Sequence, residues 1–299
     1  MIQELNVDEF LSSLKDRDGE VIHMGGIEYY EIIVALIELF KLQDSFQQKA
    51  MNQKDWWNVA ELNGKPVDYC IAMLGEVGEG ISSLDFKWWS GLDTLDRENF
   101  ITELVDALHF ELSNTMRVFY AAQKILCLDE EQTKTITYKA FKRFGSSVGN
   151  SFGYEQEHYE LFKDSDRLDL IKEYIFESLS KDRDCRAIVT FGAAGCVESF
   201  VNIHETIFKS IYLLFELANA YGVSYETMIL RYKLKNALNN VRKLNGYKDG
   251  TYTKMWLAPS GEVVEDNKAA GELIKDANIP FAEIITILDT YYKTKIATI

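Results

Sequence analysis

The sequence predicts an all-α protein built as a helical bundle. Three observations carry that prediction. Apolar residues recur at helical spacing through several long segments. Only three prolines, Pro66, Pro259 and Pro280, interrupt 299 residues, so long helices are permitted. Acidic residues also recur three apart on otherwise apolar segments, a spacing that puts them on one helical face.

Taken in order, residues 1 to 22 are mixed and acidic, and predict a short peripheral helix. Residues 29 to 49 predict a strong helix, with Ile33, Leu36, Ile37, Phe40 and Phe46 on one side. Asn63-Gly64-Lys65-Pro66 reads as a turn. A helix follows from near Asp68 to about Leu84, and another covers 97 to 124. Further helices are expected near 130–144 and 166–181, with a loop at Gly145–Gly153 between them, rich in Gly and Ser. Residues 197 to 220 are apolar and helical; Gly222 ends that segment and Ser224 is placed to cap the next, 225 to 245. Gly246 ends that one, and a last helix is expected at about 281–295. No internal repeat is visible, and the whole chain, 1–299, reads as one domain with a helical insert, expected to be mobile, at about 121–200.

Composition narrows the function. Hydrophobic residues make up 47%, enough for a sizeable core. The net charge of −15 argues against a partner that is a nucleic-acid polymer or an anionic membrane. No apolar run approaches a membrane span, and the acidic N-terminus has no secretory pattern. Cys70, Cys127, Cys185 and Cys196 lack CxxC spacing and read as reduced core residues. A cytoplasmic location is the expectation.

Residues 76 to 110 hold the chemistry. Glu76 and Glu79 share a face of one helix, Glu103 and Asp106 a face of the next. Around them lie Ile71, Met73 and Leu74, then Leu104, Val105, Leu108 and Phe110. Carboxylates gathered on apolar faces repel one another and resist desolvation. Divalent cations reverse that penalty, and hard oxygen ligands suit magnesium. The expectation is a metal site between antiparallel helices. A single ExxE pair is a weak signal, since acidic pairs are common on solvated helices; two pairs flanking Lys87-Trp88-Trp89 carry more.

Two other features need explaining. Gln43 falls on the apolar side of its helix and Gln47 follows four residues later. A buried amide requires a partner, which is either a neighbouring helix or the edge of a base. Between residues 231 and 254, seven basic residues (Arg231, Lys233, Lys235, Arg242, Lys243, Lys248, Lys254) face one acid, Asp249. Lys235, Asn239 and Arg242 share a helical face. Such a helix end complements its dipole, and with a Gly- and Lys-rich loop it also suits a polyphosphate.

Four blocks together resemble the dimeric, all-α dUTPases of the all-α NTP pyrophosphatase superfamily, the relatives of phage dCTPase/dUTPase. They are Leu42–Gln47, Glu76–Trp89, Glu103–Ser113, and Lys235–Lys254 continuing to Trp256 and Glu265-Asp266-Asn267. The resemblance implies hydrolysis of dUTP, and often dUDP, to dUMP with two or three Mg²⁺ ions, for which Mn²⁺ can substitute. It implies Glu76, Glu79, Glu103 and Asp106 as metal ligands, with attack on the β-phosphorus by water that a ligand carboxylate positions. Either Glu76 or Glu79 is the candidate base. Gln43, Trp89, His109, Phe110 and Asn236 are expected around the pyrimidine and sugar, and Lys235, Arg242, Tyr247, Lys248 and Lys254 at the phosphates; Gln47, Lys87 and Asn239 join the substrate-binding candidates, Lys87 because a cation between aromatics can meet phosphate or base. A homodimer is also implied. The chain departs from the family pattern at Gln47 (usually Asn), Gly80 (usually Leu), Ser82 (usually Asp) and Ser90 (often Lys).

Three rival readings follow from the same residues. One is the same chemistry on dCTP or a modified pyrimidine. Another is a di-iron or di-manganese helical bundle, since Asp106-x-x-His109 and Glu155-x-x-His158 have its carboxylate–histidine spacing. Glu155 and His158 fall in a Gly/Ser/Asn-rich stretch, however, and the basic block would be left without a purpose. The third is an inactive nucleotide-binding relative, against which four intact carboxylates argue.

Overall fold

The computed structural model describes residues 2–13, 27–85, 95–125, 127–148, 164–191, 197–276 and 278–296. They are mostly helical, as the sequence predicts. The chain forms two compact units, Met1–Tyr225 and Glu226–Ile299. The sequence reading treats it as one domain.

The first unit contains seven helices among the described residues: α1 (Val7–Ser13), α2 (Ile27–Met51), α3 (Tyr69–Ser82), α4 (Arg97–Ile125), α5 (Glu130–Val148), α6 (Asp164–Phe191) and α7 (Val197–Ala220). Its core is aromatic where five helices meet. Phe10, Phe40, Phe119, Phe141 and Phe208 come one each from α1, α2, α4, α5 and α7, and all are fully buried. The Phe141 and Phe208 rings lie 4.6 Å apart, and Phe40 sits about equally far from Phe119, Phe141 and Phe208, at 6.2, 6.0 and 6.0 Å. Tilted and edge-to-face rings of this kind add to what burial alone supplies.

Several expectations are corrected here. The N-terminal segment is not peripheral: Ile2, Leu5 and Phe10 are buried, and Phe10 packs 5.6 Å from Tyr138. Three apolar residues in a mixed, acidic stretch were enough to anchor it. Gly145–Val148, expected as loop, continues α5; a single Gly costs a helix about 1 kcal/mol, which its neighbours readily offset. The rest of that loop lies outside the described residues. Cys127 is exposed at a positive φ of 50°, not in the core, whereas Cys70 is buried. The described part of residues 121–200 supplies core side chains such as Phe141 and Tyr174, which leaves its reading as an insert open to either outcome.

Asn63-Gly64 does turn the chain. It joins strands β1 (Glu61–Leu62) and β2 (Lys65–Pro66) in a two-residue hairpin. Both turn residues have positive φ, 53° and 73°, the combination such a hairpin requires.

The second unit holds α8 (Tyr225–Leu244), a small antiparallel sheet of β3 (Met255–Leu257) and β4 (Val263–Glu265), α9 (Asp266–Leu273) and α10 (Phe281–Tyr291). Leu234, Leu238 and Val241 of α8 pack with Trp256, Ala270, Ile284, Leu288 and Tyr292 around a separate core. Gly246 closes α8 at φ 82°. A side chain there would meet Thr251 Oγ1 at 2.0 Å, because the 246–251 loop folds back and the Thr251 amide and hydroxyl both donate to the Gly246 carbonyl. Only glycine fits that position.

Candidate active site

The acidic face is made by α3 and α4. Asp68 caps α3 by accepting the Ile71 amide at 3.0 Å. Asp96 accepts the Asn99 amide at 2.9 Å and so holds the first turn of α4. The two helices are tied where α3 ends and α4 begins. The Asp96 amide donates to the Ser83 carbonyl at 2.8 Å, and Asn99 Nδ2 donates to Ser83 Oγ at 2.5 Å. This fixes an antiparallel register. At Gly80 the helices come so close that an added Cβ would lie 3.2 Å from both Glu103 Cβ and the Phe100 ring.

One turn back from Gly80, Glu76 faces the partner helix. Carboxylate oxygens of Glu76, Glu103 and Asp106 lie within 4.8 Å of one another, each half-buried. Glu79, the fourth acid, stands outside that group and is exposed. Burial pushes the Glu103 carboxyl up to about 7, and the charges of Asp106, Glu76 and Glu79 push in the same direction. A hydrogen bond shared with Glu76 adds to the shift, which requires a proton between the two groups. These acids therefore tolerate one another only by holding a proton or a cation. An all-oxygen, all-anionic set fits a hard divalent ion.

Beside this face stands a polar cluster between α2 and α4. Gln43 and Gln47, both buried, donate from Nε2 to Ser113 Oγ at 2.9 Å each. The partner that these amides needed is thus found on a neighbouring helix. Tyr69 donates to Gln47 Oε1 at 3.4 Å. His109 is buried with Nδ1 2.8 Å from the Val105 carbonyl. A carbonyl only accepts, so Nδ1 carries a proton. Phe110 is half-buried, its ring 6.5 Å from Tyr69. Lys87 and Trp89 lie outside the described residues, as do Glu155 and His158.

Asp44 was not among the expected site residues. It is fully buried and accepts Trp56 Nε1 and Gln48 Nε2 at 2.8 Å, Gln3 Nε2 at 2.9 Å and the Tyr120 hydroxyl at 3.0 Å. Glu111, also buried, accepts hydroxyls of Ser178 and Ser210 at 2.6 and 3.2 Å, which ties α4 to α6 and α7. An acid directly beside Gln43 in a buried helix was the available signal for the first; nothing in the spacing marked the second.

In the second unit, Arg242 makes a two-pronged bond to the buried Asp266, at 2.8 Å from Nε and 2.7 Å from Nη2. Nη1 donates to Asn239 Oδ1 at 3.2 Å, and the Tyr252 hydroxyl reaches Asp266 at 2.8 Å. Burial opposes the Arg242 charge, but the Asp266 hydrogen bonds and charge outweigh it and raise its pKa. Three of this side chain's donors are thus spent inside the unit. Tyr247, 45% exposed, lies between cations, with Arg242 5.9 Å and Lys254 Nζ 5.7 Å from its ring. Lys248 and Lys254 are exposed and Lys235 is half-buried. Asn236 is buried, and its Oδ1 accepts Asn240 Nδ2 at 3.2 Å.

A family model described as dUTPase matches residues 35–247, well over half of the chain. The chain belongs to the all-α dUTPase family. No curated protein matches it. Membership makes it a hydrolase of the dUTP diphosphatase type. The matched span takes in both acid pairs, both glutamines and all of α8. Among the described residues, no helix is long and apolar enough to cross a membrane.

Proposed function

We propose that this dUTPase hydrolyses dUTP to dUMP and pyrophosphate, and dUDP to dUMP and phosphate, in a magnesium-dependent reaction. Its cellular role would be to keep uracil out of DNA and to supply dUMP. The observation that carries the magnesium reading is the convergence of Glu76, Glu103 and Asp106 within 4.8 Å on α3 and α4. Those three side chains would hold the metal, with Glu79 at its margin. Two or three ions are expected, and Mn²⁺ should replace Mg²⁺. When bound, the metal supplies charge neutralisation and a water of lowered pKa.

The protein's own groups do the rest. Glu79 is the exposed acid of the set, free to turn toward a water, and is assigned as the base that orients and deprotonates it. Glu76 is assigned as a ligand, so the two candidate bases separate. Gln43, Gln47, His109, Phe110 and Asn236 are assigned to the base and sugar. Lys235, Lys248 and Lys254 are assigned to phosphate oxygens, with Tyr247 held between cations beside them. Asn239 and Arg242 shape that block through Asp266. A homodimer in the cytoplasm is the proposed setting.

The test is a panel of dUTP, dUDP, dCTP and dTTP with Mg²⁺, with Mn²⁺ and with EDTA. Turnover of dUTP and dUDP that stops with EDTA is the expected result. Undiminished hydrolysis in EDTA would remove the metal reading, and dCTP preferred over dUTP would remove the substrate assignment.

A further inference from the structure

Ser113 makes three hydrogen bonds at the centre of the α2–α4 cluster. Its Oγ is fully buried and lies 2.8 Å from the His109 carbonyl and 2.9 Å from each glutamine nitrogen. A serine hydroxyl has one proton and two lone pairs. The His109 carbonyl can only accept, so it takes the proton. Both lone pairs then remain, and each must receive an N–H. The hydroxyl is saturated, and its requirements decide which end of each amide faces it. A glutamine turned the other way would set its oxygen against the lone pairs of Ser113 at 2.9 Å. Both amides therefore direct Nε2 toward Ser113 and commit their oxygens to accepting. Tyr69 already uses one such acceptor, on Gln47, and a carbonyl oxygen retains a second lone pair.

We propose that Ser113 is a specificity-determining positioning residue: by fixing the polarity of Gln43 and Gln47 it makes the site an acceptor for an imide N–H. This deepens the proposed function and rests on its placing of the glutamines near the base. Uracil and thymine carry a proton on N3. Cytosine carries a lone pair there. An acceptor fixed opposite N3 attracts the first two and repels the third, and a freely turning amide does neither selectively.

Ser113→Ala removes the acceptor that fixes both amides, and Ser113→Thr keeps it. The measurement is kcat and KM for dUTP, dCTP and dTTP with saturating magnesium. In Ser113→Ala the dUTP/dCTP ratio of kcat/KM should fall about tenfold or more, mostly through KM. The dUTP/dTTP ratio should stay within about threefold, since both bases present N3–H. Ser113→Thr should restore the dUTP/dCTP ratio. An unmoved dUTP/dCTP ratio, both ratios falling together, or no rescue by threonine would overturn the assignment. A wild-type enzyme that fails to hydrolyse dUTP would instead sink the activity reading itself. The wild-type protein also gives a test that no folding failure can spoil. The side-chain amide protons of Gln43 and Gln47 should exchange with solvent far more slowly than those of exposed glutamines such as Gln53. Equal exchange rates would show that Ser113 holds neither.

Discussion

The α3–α4 crossing and the Arg242–Asp266 pair both hold charges partly out of water, and they balance them in opposite ways. In the second unit, a buried carboxylate meets a guanidinium two-pronged and takes a tyrosine hydroxyl besides. Its charge is cancelled within the fold. In the first, Glu76, Glu103 and Asp106 bring like charges within 4.8 Å. Coulomb repulsion at that range is about 1 kcal/mol per pair in water and several-fold more when half-buried. A fold that can cancel charge so thoroughly around Asp266, and that supplies Asp44 with four neutral donors, leaves Glu103 surrounded by acids. Internally balanced charge builds structure. Accumulated charge of one sign has to be balanced by a bound proton or by a cation.

The sharpest way to break this comparison is to remove one accumulated charge and look for damage to the fold. Glu79→Gln should lower kcat about a thousandfold while leaving the thermal transition unchanged, since Glu79 is exposed. Steady-state kinetics beside a calorimetric scan checks both halves. Retained turnover would remove Glu79 from the reaction.

The opposite pattern is expected at the balanced pair. Arg242→Ala leaves Asp266 buried without its cation, and should cost about 3 kcal/mol of stability, read by chemical denaturation. If that variant unfolds no more easily than wild type, the pair is not a structural element. Lys248 lies in the same basic block but is exposed. Lys248→Ala should raise KM about fivefold with no change in stability. Unchanged KM and kcat would take Lys248 out of phosphate binding.

How far the sequence revealed these regions depended on the range of the interactions. Helix ends follow local chemistry, and Asp68, Gly222 and Gly246 mark them as expected. The acid pairs at i, i+3 were legible because helical geometry alone puts each pair on one face. That the two faces meet is a tertiary fact, and so is the choice of three acids for the close group with Glu79 left outside. Arg242 looked like a free cation because its partner lies 24 residues away across a loop. Gln43 needed a partner by its position, but the identity of Ser113, 70 residues on, required the packing of α2 on α4. Short strands such as Met255–Leu257 and Val263–Glu265 carry too few residues for alternation to register.

Acidity gives the finest test of accumulated against balanced charge. Two carboxyls of the first unit are raised to about 7, Glu103 by burial and then by neighbouring acids, and Glu216 by burial, with a Tyr212 hydrogen bond opposing. A carboxyl raised in the folded state binds its proton more tightly there than in the unfolded chain. Its contribution is thus fully present below the unfolded value near 4.5 and is lost as pH rises through about 7. The metal-free protein should melt a few degrees lower at pH 8 than at pH 5. The two groups then part company. Glu103→Gln keeps the shape and removes the like charge, so it should flatten part of that slope and abolish activity together. Millimolar Mg²⁺ should flatten the same part in wild type, because of the two groups only Glu103 has neighbouring anions adding to the effect of burial. Glu216→Gln should flatten the remainder and leave the magnesium effect intact. A melting profile that ignores magnesium at every pH would mean that no cation balances the three acids.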